Sequence, residues 1–326
     1  MVELDPQAKA IVDRANDSDA PSIMESTPEQ ARKMMGAVLK MYGWEGPEMA
    51  KVEDISVPGP ASNPASGPDP GPIITCRVFT PKSVGSSATK APLLVYFHGS
   101  GWVIGGLDSH ENEARHYADG ANCIVVVPDY RLAPENKFPA AAEDCYAVLQ
   151  WVAANADMLG GDAENIAIAG DSAGGNLTAA VSQMALRRGG PPLVYQILVY
   201  PVCDTHHHWD SYKRNAEGYY LTTAAMAWFR EQYLSSEQDR EDYRASPVIG
   251  DQLAGLPPAL VMTAGFDPLC DEAEAYATRM RDAGVEVDYV CYENQIHGFV
   301  SFAGAIDDGK EFIGRASAAL REAFRR

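Results

Sequence analysis

Residues 166–176 read Ile166-Ala167-Ile168-Ala169-Gly170-Asp171-Ser172-Ala173-Gly174-Gly175-Asn176, and the fold is decided there. The first four residues are a short apolar run of the kind that forms a fully buried strand. Gly170 to Gly174 then match GxSxG, and the residues over 173–187 predict a helix directly behind them. Strand, sharp turn and helix is the context in which GxSxG presents a nucleophilic serine. The turn forces the serine into a strained backbone conformation, so its flanks must be glycine to avoid clashes. The helix behind it aims N-terminal N–H groups and the positive end of its dipole at the same point.

Outward from this elbow, short apolar runs alternate with longer helical patterns. Strands are expected at Leu93–Phe97, Cys123–Pro128, Ile166–Ala169, Gln196–Tyr200, Ala259–Ala264 and Val287–Tyr292. Helices are expected near 110–120, 140–157, 173–187, 271–282 and 309–325. Such alternation predicts an α/β fold, a mostly parallel central sheet flanked by helices on both faces. Two further strand-like runs, Lys51–Val57 and Ile73–Thr80, flank the stretch PGPASNPASGPDPGP at 58–72, which reads as a surface loop. Residues 203–250 separate two strands by far more than a crossover needs and are rich in Tyr, Trp and Met. They are expected to form a cap over the sheet edge. Residues 1–50 read as amphipathic helix and as the N-terminal part of that cap. Thr27, Pro28 and Gln30 predict a capped helix start, followed by Ala31, Met34, Met35, Val38, Leu39 and Tyr42 at helical spacing. The expected organisation is thus a cap from 1–50 and 203–250 on one α/β domain built from 51–202 and 251–326. No internal repeat is present.

A nucleophilic serine needs a general base, and the base needs an orienting acid. Of the seven histidines, His297 stands in Gln295-Ile296-His297-Gly298-Phe299, just after the last strand. That is the C-terminal edge of the sheet, where open α/β folds bind ligands. Asp267 follows the preceding strand in Gly265-Phe266-Asp267-Pro268-Leu269, and Pro268 cannot continue the ladder. The order Ser172, Asp267, His297 is the one this strand–turn–helix context demands. Asp271 is the rival acid and reads instead as a helix N-cap. Backbone N–H groups must stabilise the developing oxyanion. Ala173 supplies one, and Ser100 and Gly101 supply others from the loop His98-Gly99-Ser100-Gly101-Trp102 behind strand Leu93–Phe97. His98 reads as an anchor of that loop by a hydrogen bond, and Asp171 as structural.

Five stretches, HGSGW (98–102), DYRLAPE (129–135), GDSAGGN (170–176), GFDPL (265–269) and QIHGF (295–299), together resemble the bacterial hormone-sensitive-lipase-like esterases. The resemblance runs from about residue 70 to the C-terminus and is weaker in the N-terminal helices. It implies the α/β-hydrolase fold with a helical cap. It also implies a carboxylesterase that hydrolyses short- to medium-chain acyl esters through a Ser172–His297–Asp267 triad and an acyl-enzyme. It implies a small-molecule ester as partner, no metal and no organic cofactor, and members are often homodimers. The chain departs from the family at Ser100, where the HGGG pattern has glycine. A backbone N–H survives there, but if the position demands positive φ, serine costs roughly 1 kcal/mol relative to glycine. The same triad would also serve an amidase or peptidase. The gibberellin receptors resemble the family yet bind a hormone under the lid; such a receptor is expected to lose a triad member, and here all three are filled.

Charge and composition narrow the field further. The 326 residues carry 45 acidic and 26 basic side chains, a formal net charge of −19. That balance disfavours nucleic acid and anionic membranes, which need clustered Lys and Arg, and reads as solubility. No apolar run approaches the ~18 residues of a membrane span. The start MVELDPQAKAIVDR has acids where a signal peptide needs a basic, then apolar, stretch, so a cytoplasmic chain is expected. Six cysteines without a CxxC pair read as reduced thiols rather than a zinc site. The run His206-His207-His208 reads as solvated loop, because consecutive side chains diverge. Arg131 is expected to pair with an acid beneath the site. Trp44, Tyr219, Tyr220, Trp228 and Phe229 are candidates either for the substrate pocket or for the core of the cap.

Overall fold

The computed structural model describes residues 2–17, 22–60, 71–85 and 89–326. Residues 61–70 of the expected 58–72 loop lie outside the described residues. The strands are β1 Lys51–Pro58, β2 Ile73–Thr80, β3 Ala91–Phe97, β4 Ile124–Pro128, β5 Gly161–Asp171, β6 Tyr195–Val199, β7 Ala259–Phe266 and β8 Val287–Ile296. They form one sheet in the order β1-β2-β4-β3-β5-β6-β7-β8. The β1–β2 and β2–β4 pairs are antiparallel, and every pair from β4 onward across the sheet is parallel. The longer helices are α1 Pro6–Asn16, α2 Pro28–Tyr42, α3 Glu111–Ala121, α4 Ala140–Ala154, α5 Ala173–Arg188, α6 Thr223–Tyr233, α7 Cys270–Asp282 and α8 Asp307–Ala323.

The strand side chains alternate between two buried layers, as a sheet covered on both faces requires. Leu93, Val95, Ile124, Val126, Ile166 and Ile168 face α4 and α5, meeting Val148 and Leu149 on one helix and Leu177 and Val181 on the other. Leu94, Tyr96, Val125, Val127 and Ala167 point the opposite way, toward Tyr117 of α3 and Phe312 and Ile313 of α8. A third cluster seats Tyr276 and Met280 of α7 on Leu198 and Val261.

Two strands outrun their apolar stretches. β5 begins at Gly161 rather than Ile166, and β8 continues past Tyr292 to Ile296. The added residues include Asp162, Glu164, Glu293 and Asn294, whose side chains are partly or fully exposed. A search for apolar runs stops where a strand's side chains become solvated, although its backbone still pairs. Tyr200 drops out of β6 because its φ is +33°. The start of α2 is as expected: Thr27 Oγ1 accepts from the Gln30 N–H at 3.3 Å, and Gln30 Oε1 accepts from the Thr27 N–H at 2.9 Å.

Candidate active site

Ser172 stands between β5 and α5 with φ 54° and ψ −116°. Its N–H donates to the Val199 carbonyl of β6 at 2.8 Å, and its carbonyl accepts from Asn176 and Val202 N–H at 3.0 and 3.2 Å. Hydrogen bonds on both sides hold a conformation that would otherwise relax. Gly174 passes so close to β3 that a Cβ there would lie 1.9 Å from the Phe97 carbonyl oxygen, so no larger residue fits.

Asp267 and His297 meet because of strand register. Phe266 and Ile296 are partners in the parallel β7–β8 pair, so the chain leaves both strands at adjacent points and the next residues stand side by side. The His297 Nδ1 lies 2.7 Å from Asp267 Oδ2, and His297 Nε2 lies 2.9 Å from Ser172 Oγ. Asp267 is fully buried, and its Oδ1 accepts from the Leu269 N–H at 2.8 Å. With Asp267 taking the Nδ1 proton, Nε2 is left as an acceptor for the serine hydroxyl. Asp271 is not the N-cap of α7: Leu269 holds that place, and Asp271 sits inside the first turn. Its carboxylate takes the Ser211 N–H at 2.8 Å and pairs with Arg214 at 2.7 Å, which commits both oxygens.

The loop behind β3 winds through three consecutive positive φ values, 79° at Ser100, 64° at Gly101 and 60° at Trp102. The Ser100 carbonyl accepts from Val103 and Ile104 N–H at 3.4 and 3.1 Å. Among the described residues no hydrogen bond uses the N–H groups of Ser100, Gly101 or Ala173. His98 anchors the loop: its Nδ1 lies 3.0 Å from the Gly99 carbonyl, and its ring stacks on Tyr130 at 4.2 Å. Complete burial lowers the His98 pKa to about 3, so the ring is neutral. Asp171 points under the loop, accepting from the Tyr96 hydroxyl at 2.8 Å with His110 Nε2 at 3.4 Å. Burial opposes charge on both members of that pair. Their mutual attraction prevails, holding the Asp171 carboxyl below its usual value and the His110 imidazole above. Arg131 meets Asp144 through two nitrogens at 2.8 and 2.6 Å, the acid partner expected of it.

A cavity of about 610 Å³ opens above Ser172 and His297. Met34, Met35 and Val38 of α2 line it, as do Tyr220, Met226 and Phe229 from the 203–250 segment. The other aromatic candidates lie elsewhere. Tyr219 packs on Phe266 at 4.8 Å, Trp228 on Phe229 at 5.2 Å, and Trp44 stacks on His116 at 3.6 Å. His206, His207 and His208 are exposed, with His207 Nδ1 2.8 Å from Asp204.

A family model described by the alpha/beta hydrolase fold matches residues 94–301. The chain is 42% identical over 255 residues to a carboxylesterase of Mycobacterium tuberculosis, NlhH, covering 77% of this chain and 79% of the relative. The chain belongs to the hormone-sensitive-lipase-like carboxylesterases of the α/β-hydrolase fold. The esterase is also 33% identical over 303 residues to an ethyl acetate hydrolase of Pseudomonas putida, across 90% of this chain and 95% of the relative. A hyperthermophilic esterase from the archaeon Pyrobaculum calidifontis superposes with a TM-score of 0.89 at 38% identity, over 98% of both chains.

Several contacts at the site of the esterase carry no local sequence signal. Asn215 donates to the carbonyls of Gly265 and Asp267, each at 3.0 Å. Phe229 lies over Gly101, and Arg230 beside it reaches the cavity wall. Each is distant in sequence from what it touches, so only the folded chain brings them together.

Proposed function

We propose that Ser172 is the nucleophile of this esterase, His297 its general base and acid, and Asp267 the group that orients the imidazole. The observation that carries the reading is the unbroken hydrogen-bond chain from Ser172 Oγ through His297 to the buried Asp267, at 2.9 and 2.7 Å. His297 takes the proton of Ser172 as its oxygen attacks the ester carbonyl. The N–H groups of Ser100, Gly101 and Ala173 receive the negative charge that develops on the carbonyl oxygen. His297 then protonates the departing alcohol, and the acyl group stays on Ser172. In the second half His297 draws a proton from water, which attacks the acyl carbon and releases the acid.

The substrates are short- to medium-chain acyl esters, a class the largely apolar lining supports. Residues 1–50 and 203–250 act as the cap over the site, since both contribute to its walls. All six cysteines are free, which supports a reducing compartment such as the cytoplasm. No helix of the described residues is long and apolar enough to cross a membrane. A homodimer is the expected assembly, and sedimentation velocity tests it.

The deciding experiment is hydrolysis of p-nitrophenyl esters from acetyl to palmitoyl by the parent chain and by Ser172→Ala. Activity that peaks at short or medium chains and disappears in the variant supports both the substrate class and the nucleophile. Activity retained by Ser172→Ala would overturn the assignment.

A further inference from the structure

Arg230 of α6 lines the cavity that holds Ser172 and His297 and is only 8% exposed. It is the one Arg or Lys among the described residues that line this cavity. A buried guanidinium ordinarily faces a carboxylate, because an unpaired charge out of water is costly. Among the described residues Arg230 has no carboxylate within ion-pair distance. Its Nη2 donates to the Tyr212 hydroxyl at 2.7 Å and to the Asp204 carbonyl at 3.4 Å, while among the described residues no hydrogen bond uses its Nε or Nη1.

The two neighbouring acids do not fill the gap. The Asp204 carboxylate is engaged by His207 Nδ1 at 2.8 Å and Trp209 Nε1 at 3.1 Å. Glu272 takes the Tyr212 hydroxyl proton and the N–H groups of Cys203 and Asp204 at 2.7 and 3.1 Å, so it reaches Arg230 only through the tyrosine. Burial pushes the Glu272 carboxyl up to about 8, against the opposing pull of the Arg230 charge. The lining of the cavity is otherwise mainly apolar, with Met226 and Phe229 on the same helix.

We propose that Arg230 is an anion subsite of this cavity and receives a carboxylate carried by the ester substrate. The substrate class is then small esters with a free carboxylate, on the acyl part as in hemiesters of dicarboxylic acids or on the alcohol part as in acylated hydroxy acids. The Nη1 N–H groups, which no hydrogen bond among the described residues uses, are left to donate to a carboxylate oxygen. Such a substrate would supply the partner that the folded chain withholds. A wholly uncharged ester would leave Arg230 without a carboxylate partner. The inference rests on ester hydrolysis at Ser172 as proposed above.

Two matched pairs test it and separate the acyl side from the alcohol side. The acyl pair is mono-p-nitrophenyl glutarate and its terminal carboxamide; the alcohol pair is 4-acetoxybutanoate and 4-acetoxybutanamide. The quantity read is the ratio of kcat/KM for carboxylate over carboxamide in the parent, in Arg230→Met and in Arg230→Lys. We expect a ratio that favours the carboxylate in at least one pair, falls tenfold or more in Arg230→Met and is partly kept in Arg230→Lys. The responding pair identifies the side of the ester that faces Arg230. Ratios that are the same in the parent and both variants, for both pairs, would overturn the proposal and leave Arg230 as a brace for Tyr212. Loss of folding in Arg230→Met, seen by circular dichroism, leaves the decision to Arg230→Lys and to calorimetry on Ser172→Ala. There, monomethyl glutarate should bind at least tenfold more tightly than its carboxamide, and equal binding overturns the subsite. A parent that hydrolyses none of the four esters sinks the hydrolase reading, and that calorimetry still decides Arg230.

Discussion

Asn215 holds Asp267 from 52 residues away: its side-chain amide donates to the Asp267 carbonyl and to the Gly265 carbonyl, each at 3.0 Å. Asn215 is 2% exposed, so no water replaces those bonds. Ser211 adds a hydrogen bond from its hydroxyl to the Pro268 carbonyl. The 203–250 segment thus lines the cavity on one side and braces the acid loop on the other. Asn215→Ala should leave two buried carbonyls unpaired and cost about 1–3 kcal/mol of stability. As a positioning residue, Asn215 should also affect the reaction: kcat should fall about tenfold, with KM changed less than about twofold, and the acid limb of the pH–rate profile should move. A variant that loses stability but keeps both kcat and the pH profile would make the brace purely structural.

Asp267 and Asp271 make a direct contrast. Asp267→Asn preserves the shape of the site but offers His297 the wrong hydrogen-bond partner. A loss in kcat of about 10⁴ is expected from the behaviour of such triads. Asp271 faces Arg214 and Ser211 instead, so Asp271→Asn should cost far less. Steady-state kinetics on p-nitrophenyl butyrate separates them. Equal losses in the two variants would mean that the acid has been misassigned.

The contrast also marks where sequence reading ends. Ser172 was legible because a strained elbow demands small residues at fixed local spacing. Asp267 and His297 were legible because each follows an apolar strand and lands on the same sheet edge. Asp271 misled because an acid near a helix start suits either the cap position or the first turn, and only the backbone decides. Asn215 and Arg230 were not legible as site residues, and Phe229 read only as a pocket or cap aromatic, not as the neighbour of Gly101. Their partners are Asp267, Gly101 and the cavity, contacts that exist only once the insertion has folded back over the sheet. Trp44 read by residue type as a candidate for either the pocket or the core of the cap, and it is stacked on His116.

Ser100 adopts φ 79°, so the strain that the sequence raised as a condition is present. Ser100→Gly should relieve roughly 1 kcal/mol and raise the melting temperature by a few degrees at most. The backbone N–H proposed to face the oxyanion is kept, so activity should persist with an altered preference among acyl chains. Thermal melts and the p-nitrophenyl ester series check both parts. Complete loss of activity would contradict the role given to this backbone N–H.

Gly101 shows a different dependence on glycine. A Cβ there would lie 2.2 Å from the Phe229 ring, and the residue has φ 64°. Gly101→Ala should therefore displace the loop or α6, lowering kcat for every ester by an estimated ten- to a hundredfold. The double variant Gly101→Ala/Phe229→Ala removes the ring but not the strain. It should recover part of the loss, a non-additivity expected only of residues in contact. Fully independent effects in the cycle would show that Phe229 does not limit this position.

His98 makes stability depend on pH with a definite sign. Its Nδ1 lies 3.0 Å from the Gly99 carbonyl, and its Nε2 is buried without a partner among the described residues, so a second proton finds no acceptor there. Burial lowers its pKa to about 3, against about 6.5 in an unfolded chain. Between those values the unfolded chain binds the extra proton and the folded chain does not. The contribution to stability is therefore fully present above pH 6.5 and lost progressively as pH falls toward 3. At one pKa unit per 1.36 kcal/mol, the loss reaches about 2 kcal/mol by pH 5. Asp171, whose carboxyl is also held below its usual value, loses stability in the same direction at lower pH. Urea titrations of the parent and of His98→Gln at pH 7, 6 and 5 isolate the histidine. The gap in unfolding free energy between the two should shrink as the pH drops, because only the parent pays the protonation penalty. A constant gap would mean that the His98 ring accepts its proton without leaving the fold.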